Sequence, residues 1–414
     1  MRRSVGAGLK LRVAELTALF GHRAFLLLYL GGAISQLGSN MTRIALPILI
    51  LQRTNSLAAA GLGLALQLLP IALVGPFGGA VADRWGRKPV LIATDALRAL
   101  LTGALLVVTE PFGLSALILA VGILGALHFP ARSASLPEVV APNQFPAAVA
   151  LGGVTVQSTE LLAPFLAAVA LAWIGPEPIL LFDAATFAIS AALTIAAVIP
   201  TPLATSRLTL AGDVTEAISK LLSNVPLRGV ISLRAVLAIP LAALQVVLLL
   251  YITDKLVLDS AFYGLPLGLF SAGTLLGSAL APLAMSHRHH LRWANAAAAV
   301  VGLELMTFAV SPGYTAVLLL ATIAGLMFGV FNMMASVWIG RLTPRALRAR
   351  TYALSNAASA LAYAAGALLV GGLAQSIGPS ATMVVIGGAT VIGTIATSRW
   401  SPLASVPEAS EPIA

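Results

Sequence analysis

The chain has no cysteine, and charged residues make up only 9% of its 414 positions. Without thiols there is no disulfide, no thiolate nucleophile and no cysteine-ligated metal. Water-soluble domains carry about 25% charged and about 45–50% apolar residues. Here the apolar share is 59% and the mean hydropathy +0.97. A soluble core has no use for that much apolar surface, so the composition points to an integral membrane protein. No H-E-x-x-H, Ser/His/Asp set or facing acid pair is present, and no Walker pattern would serve an ATP-driven pump. Neither an enzyme nor a nucleotide-driven machine is expected.

What is there instead is a series of long apolar runs. A helix needs about 20 apolar residues to cross the hydrocarbon core. Runs of this kind occupy 24–51, 57–82, 90–109, 114–134, 144–174, 178–199, 228–252, 261–285, 293–311, 315–340, 350–376 and 380–398. The first is too long for the apolar part of a cleavable signal peptide and is read as a retained span. The expected fold is therefore all-α, with twelve membrane helices.

The basic residues supply an independent test of that count. With both termini cytoplasmic, the loop bases fall almost wholly inside, Arg132 counted among them, and only Arg53 and Lys255 fall outside. That asymmetry follows the positive-inside rule. It also accounts for the net charge of +9 without nucleic acid. The expected organisation is a cytoplasmic segment 1–23, a six-helix half 24–199, a polar linker 200–227, a second half 228–398 and a cytoplasmic tail 399–414. The linker carries a short amphipathic helix candidate, Val214 to Leu222.

A faint internal repeat supports two equivalent halves. Pro142 matches Pro344, and "IGP" at 174–176 matches "IGP" at 377–379, at offsets of 202 and 203 residues. Spans 5 and 11 then hold corresponding places. Two repeated halves around a midplane site are an architecture of alternating-access carriers.

One loop breaks the pattern of grease. "GGAVADRWGRKP", Gly78 to Pro89, packs four charges between two apolar spans. Gly79, Asp83, Arg84, Gly86, Arg87 and Lys88 reproduce the G-x-x-x-D-R-x-G-R-R/K signature of the major facilitator superfamily, which the chain resembles over essentially its whole length. Gly86 suits a sharp turn with positive φ. The resemblance implies that Asp83 faces the N-terminus of span 11, near Arg350, and latches the cytoplasmic side when the carrier faces outward. A purely topogenic role for the three bases weighs about as much. The matching turn between spans 8 and 9, with His287, His289 and His290, has lost the signature, and a solvated turn suits those histidines better than a metal site.

Within the superfamily, three stretches look like the branch of enterobactin exporters and macrolide-efflux proteins. They are "ISQLGSNMTRIALPILILQRTNS", "PARSASLPEVVAPNQFPAAVAL" and "TPRALRARTYALSNAASALAYAAGALLVGGL". The last resembles T-P-x-x-x-x-G-R, with Ala349 in place of glycine. In span 5, Ala163 to Ala168 resembles a degenerate G-P-x-x-G-G of drug antiporters. The resemblance implies export of a small amphipathic molecule, drug-like or siderophore-like, driven by the proton gradient across a bacterial inner membrane, with no cofactor and a monomeric carrier. Uptake or lysolipid movement by the same scaffold, and a non-transporting sensor, are the alternatives.

Ionisable groups within membrane spans are functional candidates by default. Asp95 and Arg98, at i,i+3, are expected to form a structural ion pair near the gate. Asp183 reads as lying too near the outer surface to need explanation. Arg43 lies about 28 Å along span 1 and Glu160 about 24 Å along span 5. At similar depth on neighbouring spans, they suit a proton carrier, Glu160, tuned by Arg43, or else a static salt bridge. Glu304 in span 9 is the second acid considered. Gln36, Asn40, Gln245, Asn332 and Met333 are the expected cavity contacts, although each also suits an interhelical hydrogen bond. No metal site is expected.

Overall fold

The computed structural model describes residues 19–200, 223–285, 290–310, 313–343 and 348–398, and among these it is built of α-helices without a strand. Thirteen helices follow one another: α1 Arg23–Thr54, α2 Leu57–Leu73, α3 Gly75–Trp85, α4 Arg87–Ala104, α5 Pro111–Val139, α6 Phe145–Ile174 and α7 Glu177–Ala196. Then come α8 Val225–Leu250, α9 Gly264–Met285, α10 His290–Val310, α11 Tyr314–Leu342, α12 Arg348–Ile377 and α13 Pro379–Ser398. The linker helix candidate at 214–222, His287, His289 and the tail from 399 lie outside the described residues.

The boundaries follow local chemistry. Ser56 caps α2 by accepting the Ala59 N–H at 3.2 Å, and Glu110 caps α5 through the N–H groups of Phe112 and Gly113. Such side chains satisfy donors that a helix start leaves orphaned. Proline occupies the first turn of α3, α5, α6, α7 and α8, where its missing N–H costs nothing. The run read as one span at 57–82 is broken at Val74. Pro76 cannot donate the hydrogen bond that would continue the helix, so α2 and α3 form a stepped rod.

Eight of the helices are long and apolar enough to cross a membrane. The others fall short for identifiable reasons. Helix α1 carries Gln36, Asn40 and Arg43, and α4 carries Arg87, Lys88, Asp95 and Arg98. Helix α2 alone has only 17 residues, and the apolar part of α10 is Ala294–Val310. In each polar case the groups turn toward protein, as the next section describes.

Three apolar clusters organise the bundle. The largest draws on both ends of the sequence, from Ile44–Ile50 of α1 and Ala163, Ala167 and Leu171 of α6 to Ala242–Leu250 of α8 and Ala364, Ala367 and Val370 of α12. It closes one end of the molecule, here called the sealed end. At the opposite end there are two separate clusters. One joins α1, α3, α4, α5 and α6, and the other joins α8, α9, α10 and α11. They share no residue, so the first seven helices and the last six meet at the sealed end and part toward the open one.

Small residues make the sealed contact. Gly61 and Gly371 bring α2 against α12, and Gly264 brings α9 against Ala168 of α6. Lipid provides no hydrophobic drive for helices to associate, so close backbone approach of this kind carries the packing. The tightest pair is α9 with α11. Gly273 and Gly277 lie on the backbone of α11, and Gly325 and Gly329 on the backbone of α9.

The two stretches that carry the sequence repeat share local features. Helices α6 and α12 each have 30 residues and each ends at a glycine with positive φ, Gly175 (77°) and Gly378 (82°). The bases at the sealed end repeat as well. Arg53, in the last turn of α1, donates to the carbonyls of Leu105, Leu106 and Val108 at the end of α4. Lys255, after α8, donates to the Ala309 carbonyl at the end of α10 at 2.7 Å. Both cations satisfy orphaned carbonyls at a negative helix terminus. The two exceptions to the charge asymmetry thus have a structural task.

Candidate functional site

The charged turn lies at the open end, between α3 and α4. Gly86 has φ 86°, ψ 138°, the left-handed geometry that glycine tolerates. Asp83 pairs with Arg87 at 3.6 Å, and Arg87 reaches on to Glu138 at 3.0 Å and the Ala134 carbonyl at 2.6 Å. Lys88 donates to the carbonyls of Ile195 and Ala197, both at 2.8 Å, closing the end of α7. Arg84 is exposed. Arg87 and Lys88 therefore tie α4 to α5 and α7. Gly79 lies within α3, and the start of the region facing Asp83 in the expected latch, 344–347, lies outside the described residues.

The first seven helices bury a chain of charges. Asp95 pairs with Arg98 at 3.5 Å, as its spacing predicts, and also with His128 Nδ1 at 3.3 Å. His128 Nδ1 lies 3.0 Å from the Thr94 hydroxyl. Arg98 spreads over the Phe187 ring at 3.8 Å, a cation–π contact, and reaches Ser39 at 3.4 Å. Two expectations are corrected here. Asp183 is buried, 2% exposed, and accepts from Ser39 of α1 at 3.4 Å; Gly38 of α1 makes the room. It is far from a surface group. Arg132 is no loop residue: it lies inside α5, its guanidinium against Gly32 of α1 and within electrostatic reach of Asp95 and Tyr29. His128 and Arg132 were missed because one lies in an apolar run and the other at its edge.

A second set of polar groups meets at the base of the seal. Along α6, the 3.6-residue period puts Val149, Gly153, Val156, Gln157 and Glu160 on one face. All of these are exposed, and Ala163, Ala167 and Leu171, further along the same side, are buried in the seal. Leu162, Leu166, Val169 and Trp173 are exposed on the opposite face, which suits lipid. Glu160 thus looks into the cleft between the parting helices, immediately below its roof. On α1, Gln36 and Arg43 share a face turned away from Gly31 and Gly38, which contact α7; beyond Arg43 the helix enters the seal.

Arg43 and Glu160 face each other without an ion pair within 4.0 Å, and neither makes a hydrogen bond among the described residues. They remain within electrostatic reach, and Arg43 is also within reach of the Tyr363 hydroxyl on α12. Tyr363 donates to Gln245 Oε1 of α8 at 2.6 Å, while Tyr263 donates to the Gln245 backbone carbonyl at 2.7 Å. Tyr363 had no motif to announce it. Four helices from both ends of the sequence therefore bring polar side chains to one level.

The remaining expected contacts divide. Asn40 is buried and donates to Thr159 of α6 at 3.3 Å, accepting from Gln36 at 3.4 Å. It joins α1 to α6. Asn332 is half-buried, and Met333 is exposed on the face of α11 opposite Phe331 and Met334. Glu304 on α10 is 6% exposed, and both its carboxylate oxygens are without a hydrogen-bond partner among the described residues. No group of residues suited to hold a metal ion occurs among the described residues.

A polytopic helical bundle with a cleft closed at one end, a conserved-type charged turn at the other and polar groups at the roof is the frame of a membrane transporter. The chain belongs to the MFS_3 family, described as transmembrane secretion effectors, whose model matches residues 15–412. It is similar to the multidrug efflux pump Tap of Mycolicibacterium fortuitum, 29% identical over 402 residues, covering 88% of this chain and 92% of that protein. It is also similar to the enterobactin exporter EntS of Salmonella choleraesuis, 26% identical, covering 92% and 93%. In fold it matches a bacterial homologue of the iron transporter ferroportin in an inward-facing state, with a TM-score of 0.67 at 19% identity over 93% of this chain and 99% of that one. The protein is a multi-pass membrane transporter of the major facilitator type and not an enzyme.

Proposed function

We propose that this transporter is a proton-coupled exporter of small amphipathic organic molecules, antibiotic-like or siderophore-like, working by alternating access in a bacterial inner membrane. On this reading α2 and α3 cross together, giving twelve crossings in two pseudo-symmetric halves, 24–199 and 228–398, with both termini cytoplasmic. The open end, which carries Arg84, Arg87, Lys88, Arg228 and Arg341, is then the cytoplasmic one, in keeping with the positive-inside rule. The molecule faces inward, with the Asp83 latch released and Asp83 resting on Arg87. Export by the relatives Tap and EntS supports the outward direction. The carrier works as a monomer and takes its energy from the proton gradient without a cofactor.

The observation that carries the reading is the unpaired Glu160 carboxylate at the roof of the cleft. A carboxylate at membrane depth is costly to keep charged without a partner, even where the cleft exposes it. A proton or a bound substrate relieves that cost, and the two exclude each other at one carboxylate. Exclusive occupancy is what exchange of substrate for proton requires. The test is dye efflux from proteoliposomes under an imposed pH gradient. Glu160→Gln is expected to keep downhill movement and to lose acceleration by the gradient. Undiminished coupling in that variant, with coupling lost in Glu304→Gln, would move the proton site to α10.

A further inference from the structure

The roof holds two opposite charges that do not use each other. Arg43 on α1 and Glu160 on α6 lie on facing walls, each free of hydrogen bonds and ion pairs among the described residues, although helices α1 and α6 are joined one turn below by Asn40 and Thr159. The buried Asp95 and Asp183, by contrast, each have a partner, an ion pair with Arg98 for the first and a hydrogen bond from Ser39 for the second. The two walls are held apart by packing, because Leu46 and Ile50 above Arg43 and Ala163 above Glu160 are buried in the seal.

The charge arithmetic of such a gap selects a ligand. A simple cation bound at Glu160 would sit against the Arg43 guanidinium; a simple anion bound at Arg43 would sit against the Glu160 carboxylate. An uncharged ligand would strip water from both and replace it with nothing, which is costly at low dielectric. A ligand carrying both signs satisfies each wall with a charge-assisted hydrogen bond and leaves no uncompensated ion. Resting on the reading of this roof as the exporter's substrate site, we infer that the transporter binds zwitterionic amphiphiles: an ammonium group on Glu160, a carboxylate or similar anion on Arg43, and an apolar body along the cleft. Val149, Gly153 and Val156 continue the Glu160 face toward the open end and offer that body an apolar wall. Tyr363, fixed by Gln245, closes the site from the other half within reach of Arg43. The ammonium and the coupling proton then compete for Glu160, so ligand affinity falls as pH falls.

Three probes with one fluorophore and matched chains separate the possibilities: dansylcadaverine (cation), dansyl-6-aminohexanoate (anion) and Nε-dansyl-lysine (both charges). Binding of each to the full chain in nanodiscs, without a gradient, is read by fluorescence. The zwitterion is expected to bind about tenfold tighter than either single-charge probe. Arg43→Gln should lower it to the level of the cation, Glu160→Gln to that of the anion, and Arg43→Lys should keep most of the advantage. A single-charge probe binding as tightly as the zwitterion, binding by none of the three, or a ranking untouched in both Gln variants would overturn the site. Zwitterion-selective binding without efflux would remove the exporter and keep the site; efflux of all three probes alike would do the reverse.

Discussion

The first seven helices and the last six are held together by different chemistry. The former are held internally by buried polar and charged groups: Asp95 with Arg98 and beside the His128 ring, Asp183 with Ser39, and Arg132 in the recess at Gly32. The latter rely on backbone contact between α9 and α11, through Gly273, Gly277, Gly325 and Gly329, and bury one lone acid, Glu304. Where the two agree is at the sealed end, with Arg53 and Lys255 on helix ends and Gly175 and Gly378 at corners. An ionisable side chain at membrane depth therefore carries functional weight only when its partners have been counted, and by that count Arg43 and Glu160 differ from Asp95 and Arg98.

The largest effect that would sharpen this contrast comes from halving the ion pair. Asp95→Ala leaves Arg98 buried without its carboxylate and should cost about 3–5 kcal/mol, seen as a lower thermal midpoint in detergent. The double variant Asp95→Ala with Arg98→Met should recover much of that loss; failure to recover would show that the network does more than balance charge. Next is Gly329→Leu on α11. Its Cβ would meet the carbonyl of Thr274, which is backbone and cannot yield, so overpacking of about 1–3 kcal/mol is expected and the folded fraction on size exclusion should drop.

Glu304→Leu tests the comparison from the other side. Replacing an unpartnered buried acid by an apolar residue should raise the thermal midpoint, by about 1 kcal/mol or more, and leave gradient-driven efflux intact. The smallest effect is Lys255→Met, which removes a cation from the end of α10 and should cost about 1 kcal/mol or less. A loss much greater than that of Arg53→Met would mean that the two sealed-end cations are not equivalent.

Much of the fold was legible because lipid demands long apolar runs, and because Gly86, Gly175 and Gly378 punctuate them. Span ends were misjudged by a few residues where a helix continues beyond its apolar part, as α5 does through Arg132 to Val139. The step at Val74 was missed although Pro76 announces it. The reciprocal glycines of α9 and α11 carry a readable G-x-x-x-G spacing. At the roof, Arg43, Glu160 and Gln245 stood out as polar residues in grease, and the Asp95–Arg98 pair followed from spacing. Tyr363, His128 and the depth of Asp183 did not, since one-dimensional hydropathy says nothing of which face of a helix meets which neighbour. Asn40 read as a cavity contact because an amide in lipid looks the same whether it binds substrate or Thr159.

The Val74 step divides the allegiance of a single rod. Helix α2 is committed to α12 at the closed end, and α3 to α5 and the charged turn at the other. Val74 also frees the polypeptide at that point from the stiffness of a continuous helix. If the transporter reorients as proposed, this crossing can bend like a flexure, with its open-end third pivoting while the remainder stays anchored. Spin labels placed on α3 and α2 would then travel unequal distances between the two conformations.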